Sequence, residues 1–285
     1  MKIIVTGATG QLGGLVIQHL LKKAPTNQIV AVARNLEKAS DLAEFGIEVR
    51  QGDYNNPESL HDAFVDGTKL LFISSSETDD PLRVVQHANV VKAARDAGIK
   101  QIAYTGFAFA EDNPFALVHM ATEYAIRTTN IPYTFLRNGG YTEFFVNPSL
   151  KANVENGTII TNANKGKVNS VSRSDLALAA ATVLTEDGHE NKEYNLVSNN
   201  PWSFDDLAEI LSEVSGKSVV HQSVSFEEEK NILVRAGMPE SFAETTAFIY
   251  TTIAEGKMAR TTDDLQKLIG FQTPIKEIVI KALQG

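Results

Sequence analysis

A tyrosine with a lysine one helical turn later is a frequent proton donor in reductases, and this sequence lacks that pair. Residues 119–127 read HMATEYAIR, so Tyr124 is followed at the four-residue spacing by Thr128. None of the seven tyrosines, at positions 54, 104, 124, 133, 141, 194 and 250, has Lys at that spacing. His119 lies where a helical pattern begins, which favours a packing role over proton donation. We therefore assign no catalytic residue from the sequence.

For a chain that transfers hydride, the missing lysine would restrict the acceptors that it reduces. Hydride addition to a ketone gives an alkoxide, whose conjugate acid has a pKa of roughly 16, so a proton must arrive during the step. Hydride addition to a quinone gives a phenolate-like anion, whose conjugate acid has a pKa of roughly 10, and water can protonate it afterwards. Hydride addition to a triarylmethyl cation gives a neutral carbon and needs no proton. The sequence therefore disfavours ketones and sugars and leaves the other two acceptors open.

A glycine-rich loop, TGATGQLGG, spans residues 6–14. Gly7, Gly10 and Gly13 have the spacing G-x-x-G-x-x-G and stand between a strand-like run and the helical pattern LVIQHLLKK. Glycines at this spacing permit a tight turn and let a diphosphate approach the backbone, while the helix N-terminus offers unpaired N–H groups. The pattern predicts a dinucleotide-binding loop that includes Thr9.

The end of the second predicted strand, QIVAVARN, indicates which dinucleotide is bound. Enzymes that prefer NAD usually place Asp or Glu about 20 residues after the glycine loop, where it binds the ribose 2′-hydroxyl. This chain has Arg34 there, 21 residues after Gly13, with Lys38 one turn further. A guanidinium can bind a 2′-phosphate through two parallel hydrogen bonds, whereas a carboxylate repels it. We predict NADPH as the cofactor, with NADH bound at lower affinity.

Further cofactor contacts are expected where the parallel strands end, because ligands of such sheets lie at the carboxyl edge. GDY places Asp53 and Tyr54 beside the adenine, and FISSS places Ser74 and Ser75 near the ribose and diphosphate. YTGFAF places three further residues along the nicotinamide, namely Thr105, Gly106 and Phe107.

A planar aromatic acceptor is best held by aromatic side chains, and a delocalised cation gains further from their π faces. Trp202 is the only tryptophan. Its surroundings, NNPWSF, predict an exposed indole in a loop before a helix. The other aromatic candidates for substrate contact are Phe109, Phe144, Phe145 and Phe226.

Short β-branched runs alternate with helical patterns through the first half of the chain. We predict strands at 2–6, 28–33, 47–51, 69–74, 100–105 and 132–136. We predict helices at 11–23, 36–45, 57–65, 82–97 and 117–129. Strands separated by helices indicate an α/β fold with a Rossmann-type, doubly wound and mainly parallel sheet.

Beyond these elements the pattern changes to a smaller, mostly helical C-terminal lobe. We predict a helix at 142–154, a helix at LALAAATVLTE capped by Ser172 or Ser174, and another parallel strand at EYNLVS. SFDDLAEILSEVSG predicts a helix that Ser203 and Asp206 begin and Gly216 ends.

The length of 285 residues allows a nucleotide-binding domain with a smaller lobe. We predict a dinucleotide-binding Rossmann domain at 1–140 and a substrate lobe at 141–285. Parts of the chain near 172–198 are expected to return to the Rossmann sheet.

The net charge, the lengths of the apolar runs and the cysteine count argue against several classes of function. The net charge of −9 disfavours nucleic-acid binding, and no apolar run approaches the roughly 20 residues that a membrane span needs. The chain has no cysteine and shows no signal peptide, so we expect a cytoplasmic location. No His, Asp or Glu cluster has metal-ligand spacing, so we predict no metal. The oligomeric state stays open.

The motifs described above, together with LRNGGY (residues 136–141) and YNLVSNNPW (residues 194–202), resemble the NmrA-like group of atypical short-chain dehydrogenase/reductases from end to end. The resemblance implies that NADPH lies across the carboxyl edge of the sheet. It implies that Asn138 and Tyr141 face the nicotinamide region, with Tyr141 on the substrate side. It implies these further cofactor contacts: Gly7, Gly10, Gln11, Leu12, Gly13, Arg34, Asp53 and Ser74.

Within that group the chain is most similar to reductases of triphenylmethane dyes, whereas the quinone reductases tend to have Lys at the position of Tyr124. The leading hypothesis is NADPH-dependent hydride transfer to the central carbon of a cationic triphenylmethane dye, such as malachite green or crystal violet, or to a similar small planar aromatic acceptor. The alternatives are an NAD(P)H:quinone oxidoreductase and a non-catalytic NADP(H)-sensing regulator.

Overall fold

The structure, a computed structural model, describes residues 1–284, and the chain forms two units that each combine several of its segments. Unit 1 consists of Met1–Gly139, Arg173–Leu196 and Asp264–Phe271. Unit 2 consists of Gly140–Ser172, Val197–Asp263 and the chain from Gln272 onward. No helix within the described residues is long and apolar enough to cross a membrane.

Unit 1 is built on a seven-stranded sheet in which all neighbouring strands are parallel. Numbered in chain order, its strands are β1 (Ile3–Val5), β2 (Ile29–Ala33), β3 (Glu48–Gln51), β4 (Lys69–Phe72), β5 (Gln101–Phe107), β6 (Tyr133–Asn138) and β9 (Lys192–Leu196). Their order across the sheet is β3-β2-β1-β4-β5-β6-β9. The order therefore reverses between β1 and β4, as in doubly wound folds, and the predicted fold class is confirmed.

The central strands are apolar because helices cover both faces of a parallel sheet. Every residue of β1 and β2 is buried, as are the last three residues of β4. At the edge of the sheet, Glu48 and Gln51 of β3 are exposed. The buried centre fixes the positions at which β1, β2 and β4 end, and predicted cofactor contacts follow each of these ends.

Side-chain hydrogen bonds cap the first turns of two helices of unit 1. The Asn56 side chain accepts hydrogen bonds from the N–H groups of Glu58 and Ser59, and Asp79 accepts one from Leu82 at 2.8 Å. Ser172 directly precedes a further helix, whereas Ser174 lies inside it. The helices are α1 (Gln11–Leu20), α2 (Ser40–Glu44), α3 (Pro57–Phe64), α4 (Asp80–Asp96), α5 (Leu117–Thr128), α8 (Arg173–Thr185) and α12 (Asp264–Ile269).

Unit 2 is mostly helical, with two small sheets. Its helices are α6 (Thr142–Phe145), α7 (Leu150–Asn156), α9 (Phe204–Ser215), α10 (Phe226–Arg235), α11 (Glu240–Ala254) and α13 (Ile275–Gln284). The strands β7 (Thr158–Thr161) and β11 (Val220–Ser223) pair in parallel, and β8 (Lys167–Val168) pairs with β10 (Trp202–Ser203) in antiparallel orientation. Ser203 and Asp206 form a capping box at α9, and Gly216 ends that helix, as the sequence predicted.

The helix predicted at 142–154 is wrong as a single element. It is divided into α6 and α7, which end and begin on either side of residues 146–149. Pro148 has no N–H group and disfavours helical geometry at the residue before it, so a continuous helix cannot pass through this point.

Candidate functional site

The loop after β1 has a backbone that requires glycine. Gly7 has a φ of +61°, in the left-handed region. A Cβ atom on Gly13 would lie 2.2 Å from the carbonyl oxygen of Gly7 and 2.8 Å from its carbonyl carbon. The Gly10 N–H donates to the same carbonyl oxygen at 2.9 Å. The first turn of α1 therefore packs directly on the loop, which leaves room for a diphosphate at the backbone.

This loop presents backbone donors at the carboxyl edge of the sheet. Gly7, Thr9, Gly10 and Gln11 are exposed, whereas Leu12 is buried against the core. Gly10 precedes α1 and has no side chain that could cap its first N–H groups. These donors, with the positive end of the helix dipole, fit the diphosphate of a dinucleotide.

Arg34 directly follows β2 and is exposed, as is Lys38 in the next turn. The turn between them is ordered by Asn35, whose Oδ1 accepts hydrogen bonds from the N–H groups of Glu37 at 2.8 Å and Lys38 at 3.3 Å. Two exposed cations at this strand end fit the 2′-phosphate of NADPH, and their role in cofactor choice stays a prediction.

Asp53 and Tyr54 follow β3, and both are engaged within the protein. The Asp53 carboxylate accepts a hydrogen bond from the Asn55 N–H at 2.9 Å. The Tyr54 hydroxyl donates to the carbonyl of Ile73 at 2.7 Å and lies 2.6 Å from Oγ1 of Thr6. Burial raises the pKa of Tyr54. Its hydroxyl joins the ends of β1 and β4, which stabilises the edge where the glycine loop begins.

Ser74 and Ser75 follow β4 and are held by neighbouring elements. The N–H of Ser74 donates to Oγ1 of Thr105 in β5 at 3.0 Å, and the N–H of Ser75 donates to Nε2 of His87 in α4 at 2.9 Å. The Ser75 hydroxyl is hydrogen-bonded to Gln86. Thr105 is itself buried, so its hydroxyl binds the loop from the interior of the protein.

Phe107 and Asn138 are register partners at the ends of β5 and β6. Phe107 is half-buried, and the preceding Gly106 is buried. A Cβ atom on Gly106 would lie 3.4 Å from Oε1 of Glu123. Asn138 is buried, and its Oδ1 has no hydrogen-bond partner. A buried acceptor without a donor costs free energy, so this oxygen fits a hydrogen-bond donor of a ligand.

Glu123 and Arg137 form a buried, bidentate ion pair beneath these strand ends. The Arg137 Nε donates to Oε1 of Glu123 at 2.9 Å, and Nη2 donates to Oε2 at 2.7 Å. Arg137 also contacts Glu111 at 2.8 Å and Glu193 at 2.9 Å. The hydrogen bonds that Arg137 donates to Glu123 raise the pKa of Arg137. Both charges are compensated, so the pair has a structural role.

His119 lies in the first turn of α5, is buried, and cannot supply a proton at neutral pH. Its Nε2 lies 3.1 Å from Nη2 of Arg83, and its Nδ1 lies 2.8 Å from the Tyr104 hydroxyl. A guanidinium can only donate, so Nε2 accepts and the ring proton is on Nδ1. Burial and the charge of Arg83 lower the pKa of His119 to about 4, and burial raises the pKa of Tyr104.

Tyr124 lies on the surface of α5, with 60% of its area exposed. Its ring centre is 5.7 Å from Cζ of Arg127, which also lies over the rings of Tyr133 and Phe135. Tyr124 lines a charged surface pocket of about 240 Å³ together with Arg127 and Arg137. It is separate from the buried His119 network, which agrees with the absence of a Tyr–Lys proton donor.

Trp202 is buried in β10, so the predicted exposed loop position is wrong. Its Nε1 donates to Oγ of Ser170 at 3.0 Å, and its ring lies 5.8 Å from Phe145 and 5.5 Å from Phe204. The residues around it form the hydrophobic core of unit 2, which covers the indole in a way that the polar local sequence NNPWSF does not indicate. Whether Trp202 contacts substrate stays a prediction.

The remaining predicted substrate contacts lie at different depths. Phe144 is exposed, and its ring packs edge-on against buried Phe145 at 5.0 Å. Tyr141 directly precedes α6, and Phe226 is the first residue of α10; both are half-buried. In unit 1, Phe109 has a left-handed φ of +53°, and its N–H donates to Oδ1 of Asn195 at 2.8 Å.

Sequence reasoning missed the polar residues that support the strand ends, above all His87 and Thr122. His87 is buried on the same face of α4 as Val90, Val91 and Ala94. This i, i+3, i+4, i+7 spacing is the signal that places its ring towards the sheet. The contact with Thr122, 35 residues away, has no signal in the sequence.

Known proteins of similar sequence and structure extend over the whole chain. The triphenylmethane reductase of Citrobacter sp. has 69% identity and a TM-score of 0.98, with both chains covered completely. Its complex with NADP(H) has 70% identity and a TM-score of 0.97, covering 99% of this chain and 100% of that one. An NADPH-dependent quinone oxidoreductase of Escherichia coli, solved with NADPH, has 42% identity and a TM-score of 0.91, covering 97% and 98%.

The sequence relatives agree with these structures. Quinone oxidoreductase 2 of Escherichia coli K12 is 42% identical over 273 residues, which cover 95% of this chain and 94% of the relative. Residues 1–274 match the NmrA-like family. The resemblance inferred from the motifs is thus confirmed, and the chain belongs to the NmrA-like family.

Proposed function

We propose that the chain is an NADPH-dependent reductase that transfers a hydride to the central carbon of a cationic triphenylmethane dye or a similar planar aromatic acceptor. The observation that carries this proposal is the 69% identity, over the full length, to a triphenylmethane reductase. The broader predictions, an oxidoreductase and NADP(H) as its cofactor, are confirmed by relatives that are named oxidoreductases and were solved with NADP(H).

Unit 1 provides the groups that would hold NADPH, which supplies the hydride when bound. The N–H groups of the glycine loop and the first turn of α1 would hold the diphosphate, and Arg34 with Lys38 would hold the 2′-phosphate. The unpartnered Oδ1 of Asn138 would accept a hydrogen bond from a donor group of the bound cofactor. Together these contacts orient one face of the cofactor towards the acceptor.

The side chains of unit 1 that were considered as proton donors are consistent with an acceptor that needs no proton. His119 is neutral and its Nε2 accepts a hydrogen bond, while the pKa of the Tyr104 hydroxyl is raised by burial. Tyr124 is exposed and has no lysine at the expected spacing. A cationic acceptor becomes neutral when it receives hydride and needs none of these groups. What it needs is close positioning and aromatic contact, and Phe144 is an exposed aromatic residue of unit 2 that is open to such contact.

Quinone reduction is the second candidate function. It is favoured by the 42% identity to quinone oxidoreductase 2, and a quinone also tolerates the absence of a proton donor. Tyr124, where the quinone reductases tend to have Lys, argues for the dye as the preferred acceptor. For either acceptor we propose a cytoplasmic location, as expected for a chain without cysteine.

Oxidation of NADPH, followed by its absorbance with malachite green, with a benzoquinone and without acceptor, tests the proposal. We expect turnover with malachite green at a higher kcat/KM than with benzoquinone, and none without acceptor. The reverse order would favour the quinone function. Tight NADPH binding without turnover of either compound would instead support the NADP(H)-sensing alternative.

A further inference from the structure

We propose that His87 is a positioning residue for cofactor binding, because its ring connects the loop after β4 to α5 through a single, directed chain of hydrogen bonds. The inference rests on the proposed NADPH-dependent function and assigns a role to a buried residue outside the predicted cofactor and substrate contacts. All the residues concerned belong to unit 1.

The proton positions along the hydrogen bonds from Ser75 to Val118 follow from the groups at the two ends of this series. The backbone N–H of Ser75 can only donate, so Nε2 of His87, at 2.9 Å, must accept. The ring proton is then on Nδ1 and is donated to Oγ1 of Thr122 at 2.7 Å. The Thr122 hydroxyl in turn donates to the carbonyl of Val118 at 2.7 Å, and a carbonyl can only accept. One tautomer of His87 therefore satisfies every group.

A second group of hydrogen bonds lies beside the first. Tyr104 of β5 packs edge-on against the His87 ring, with 5.9 Å between the ring centroids, and its hydroxyl is hydrogen-bonded to Nδ1 of His119, whose Nε2 accepts from Arg83. The His119 ring lies 6.0 Å from the ring of Phe107 at the end of β5. The packed rings of His87 and Tyr104 thus connect the residues that support the two strand ends, after β4 and β5, at which cofactor contacts are expected.

His87 stays neutral in this environment. Burial, followed by the charge of Arg83, lowers its pKa to about 3. A protonated ring would present a donor to the Ser75 N–H and break the bond. At neutral pH Nε2 of the imidazole therefore remains an acceptor for the Ser75 N–H. The N–H groups of Ser74 and Ser75 are thus both hydrogen-bonded to buried side chains.

Paired substitutions at Thr122 test the inference. Thr122→Val keeps the shape but removes the acceptor for the His87 Nδ1–H, whereas Thr122→Ser keeps the hydroxyl. We expect Thr122→Val to weaken NADPH binding about tenfold, which corresponds to ~1.4 kcal/mol, with kcat at saturating NADPH within about twofold of the wild type. Thr122→Ser should bind NADPH as the wild type does.

Substitutions at the histidine give the second pair. His87→Gln offers an amide oxygen to Ser75 and an amide N–H to Thr122, so it should retain most of the affinity, whereas His87→Leu should weaken binding at least as much as Thr122→Val. His61→Ala, at an exposed histidine of α3, is the control and should change nothing. Circular dichroism checks that each variant is folded.

The tautomer gives a readout on the unmodified protein. In ¹⁵N NMR spectra of the wild type we expect His87 to carry its proton on Nδ1 throughout pH 5–8. A proton on Nε2, or equal NADPH affinities of Thr122→Val and Thr122→Ser, would overturn the inference. NADPH affinity is measured without acceptor by the fluorescence of the bound nucleotide. Failure of the dye and quinone assays would therefore sink the proposed function and leave this test intact.

Discussion

At the scale of single residues, we propose that Arg34 sets the charge next to the 2′ position of the adenine ribose. It directly follows β2 and is exposed, and Gln51 Nε2 donates to its carbonyl at 3.4 Å. A guanidinium there attracts the 2′-phosphate of NADPH, whereas a carboxylate would accept a hydrogen bond from the 2′-hydroxyl of NADH. Cofactor preference should therefore follow the charge of this one side chain.

Arg34→Glu should reverse the preference. Loss of charge-assisted hydrogen bonds costs roughly 1.5–3 kcal/mol, so the ratio of kcat/KM for NADPH to that for NADH should fall at least tenfold. Lys22→Glu, an equal charge change at an exposed residue after α1, is the control. Steady-state assays with both nucleotides and one acceptor measure the ratio. A preference for NADPH that survives in Arg34→Glu would assign the selection to other residues.

Tyr124→Phe tests whether any proton is delivered from the usual tyrosine position. Tyr124 is exposed on α5 and its ring faces Arg127. We expect kcat with malachite green within about twofold of the wild type, because a cationic acceptor needs no proton. A drop of several orders of magnitude in a folded variant would contradict the proposed chemistry.

At the scale of elements, the glycine loop and α1 pack against each other. Two neighbouring glycines, Gly13 and Gly14, differ in how much space this packing leaves for a side chain. A Cβ on Gly13 would lie 2.2 Å from the Gly7 carbonyl oxygen, whereas a Cβ on Gly14 would meet nothing closer than 3.8 Å. Gly13→Ala must therefore displace backbone, which typically costs about 1–3 kcal/mol, and it should abolish detectable NADPH binding. Gly14→Ala should bind NADPH normally and be slightly more stable. Thermal unfolding and nucleotide fluorescence compare the two, and equal behaviour would refute the assigned packing.

The elements of the sheet could be predicted because each central strand contains a run of apolar residues. β1, β2, β4 and β6 begin and end within about two residues of their predicted positions, and the first four residues of EYNLVS lie in the parallel strand β9. The strands of unit 2 could not be predicted, since β11 reads VHQS and β10 has two residues. Their pairing is decided by tertiary contacts rather than by periodicity.

The same limit applies to the candidate site. The glycine loop and Arg34 have local signals, and the structure has them at the expected strand ends. Burial of Trp202 depends on Phe145 and Phe204, and the bond between His87 and Thr122 joins α4 to α5. Such contacts between distant residues are invisible to a reading of spacing and composition.

At the scale of the whole molecule, stability should depend on pH through one buried carboxyl group. Glu229 of α10 is 2% exposed, and its Oε2 has no hydrogen-bond partner. Burial raises its pKa from 4.5 to about 7, against the effect of a hydrogen bond from the Asn162 backbone. Because the folded-state pKa is raised, the stability that Glu229 contributes is fully present below about pH 4.5 and is lost as pH rises through 7.

Glu229→Gln should remove this dependence. The variant cannot ionise, so at pH 8 it should be more stable than the wild type by on the order of 1–3 kcal/mol, with a smaller difference at pH 5. Glu228→Gln, at the exposed neighbour on the same helix, should follow the wild type. Urea unfolding at both pH values provides the free energies. Parallel pH profiles of Glu229→Gln and the wild type would show that the carboxyl group is not the cause.

The division of the chain into interleaved segments limits how specificity can be engineered or inherited. The chain passes from one unit to the other at Gly139/Gly140, Ser172/Arg173, Leu196/Val197, Asp263/Asp264 and Phe271/Gln272. No single crossover between two genes can exchange either unit intact, and a chimera that carries unit 2 of another family member must replace three separate stretches. We therefore expect new acceptor preferences in this architecture to arise through point substitutions rather than through exchange of a whole unit.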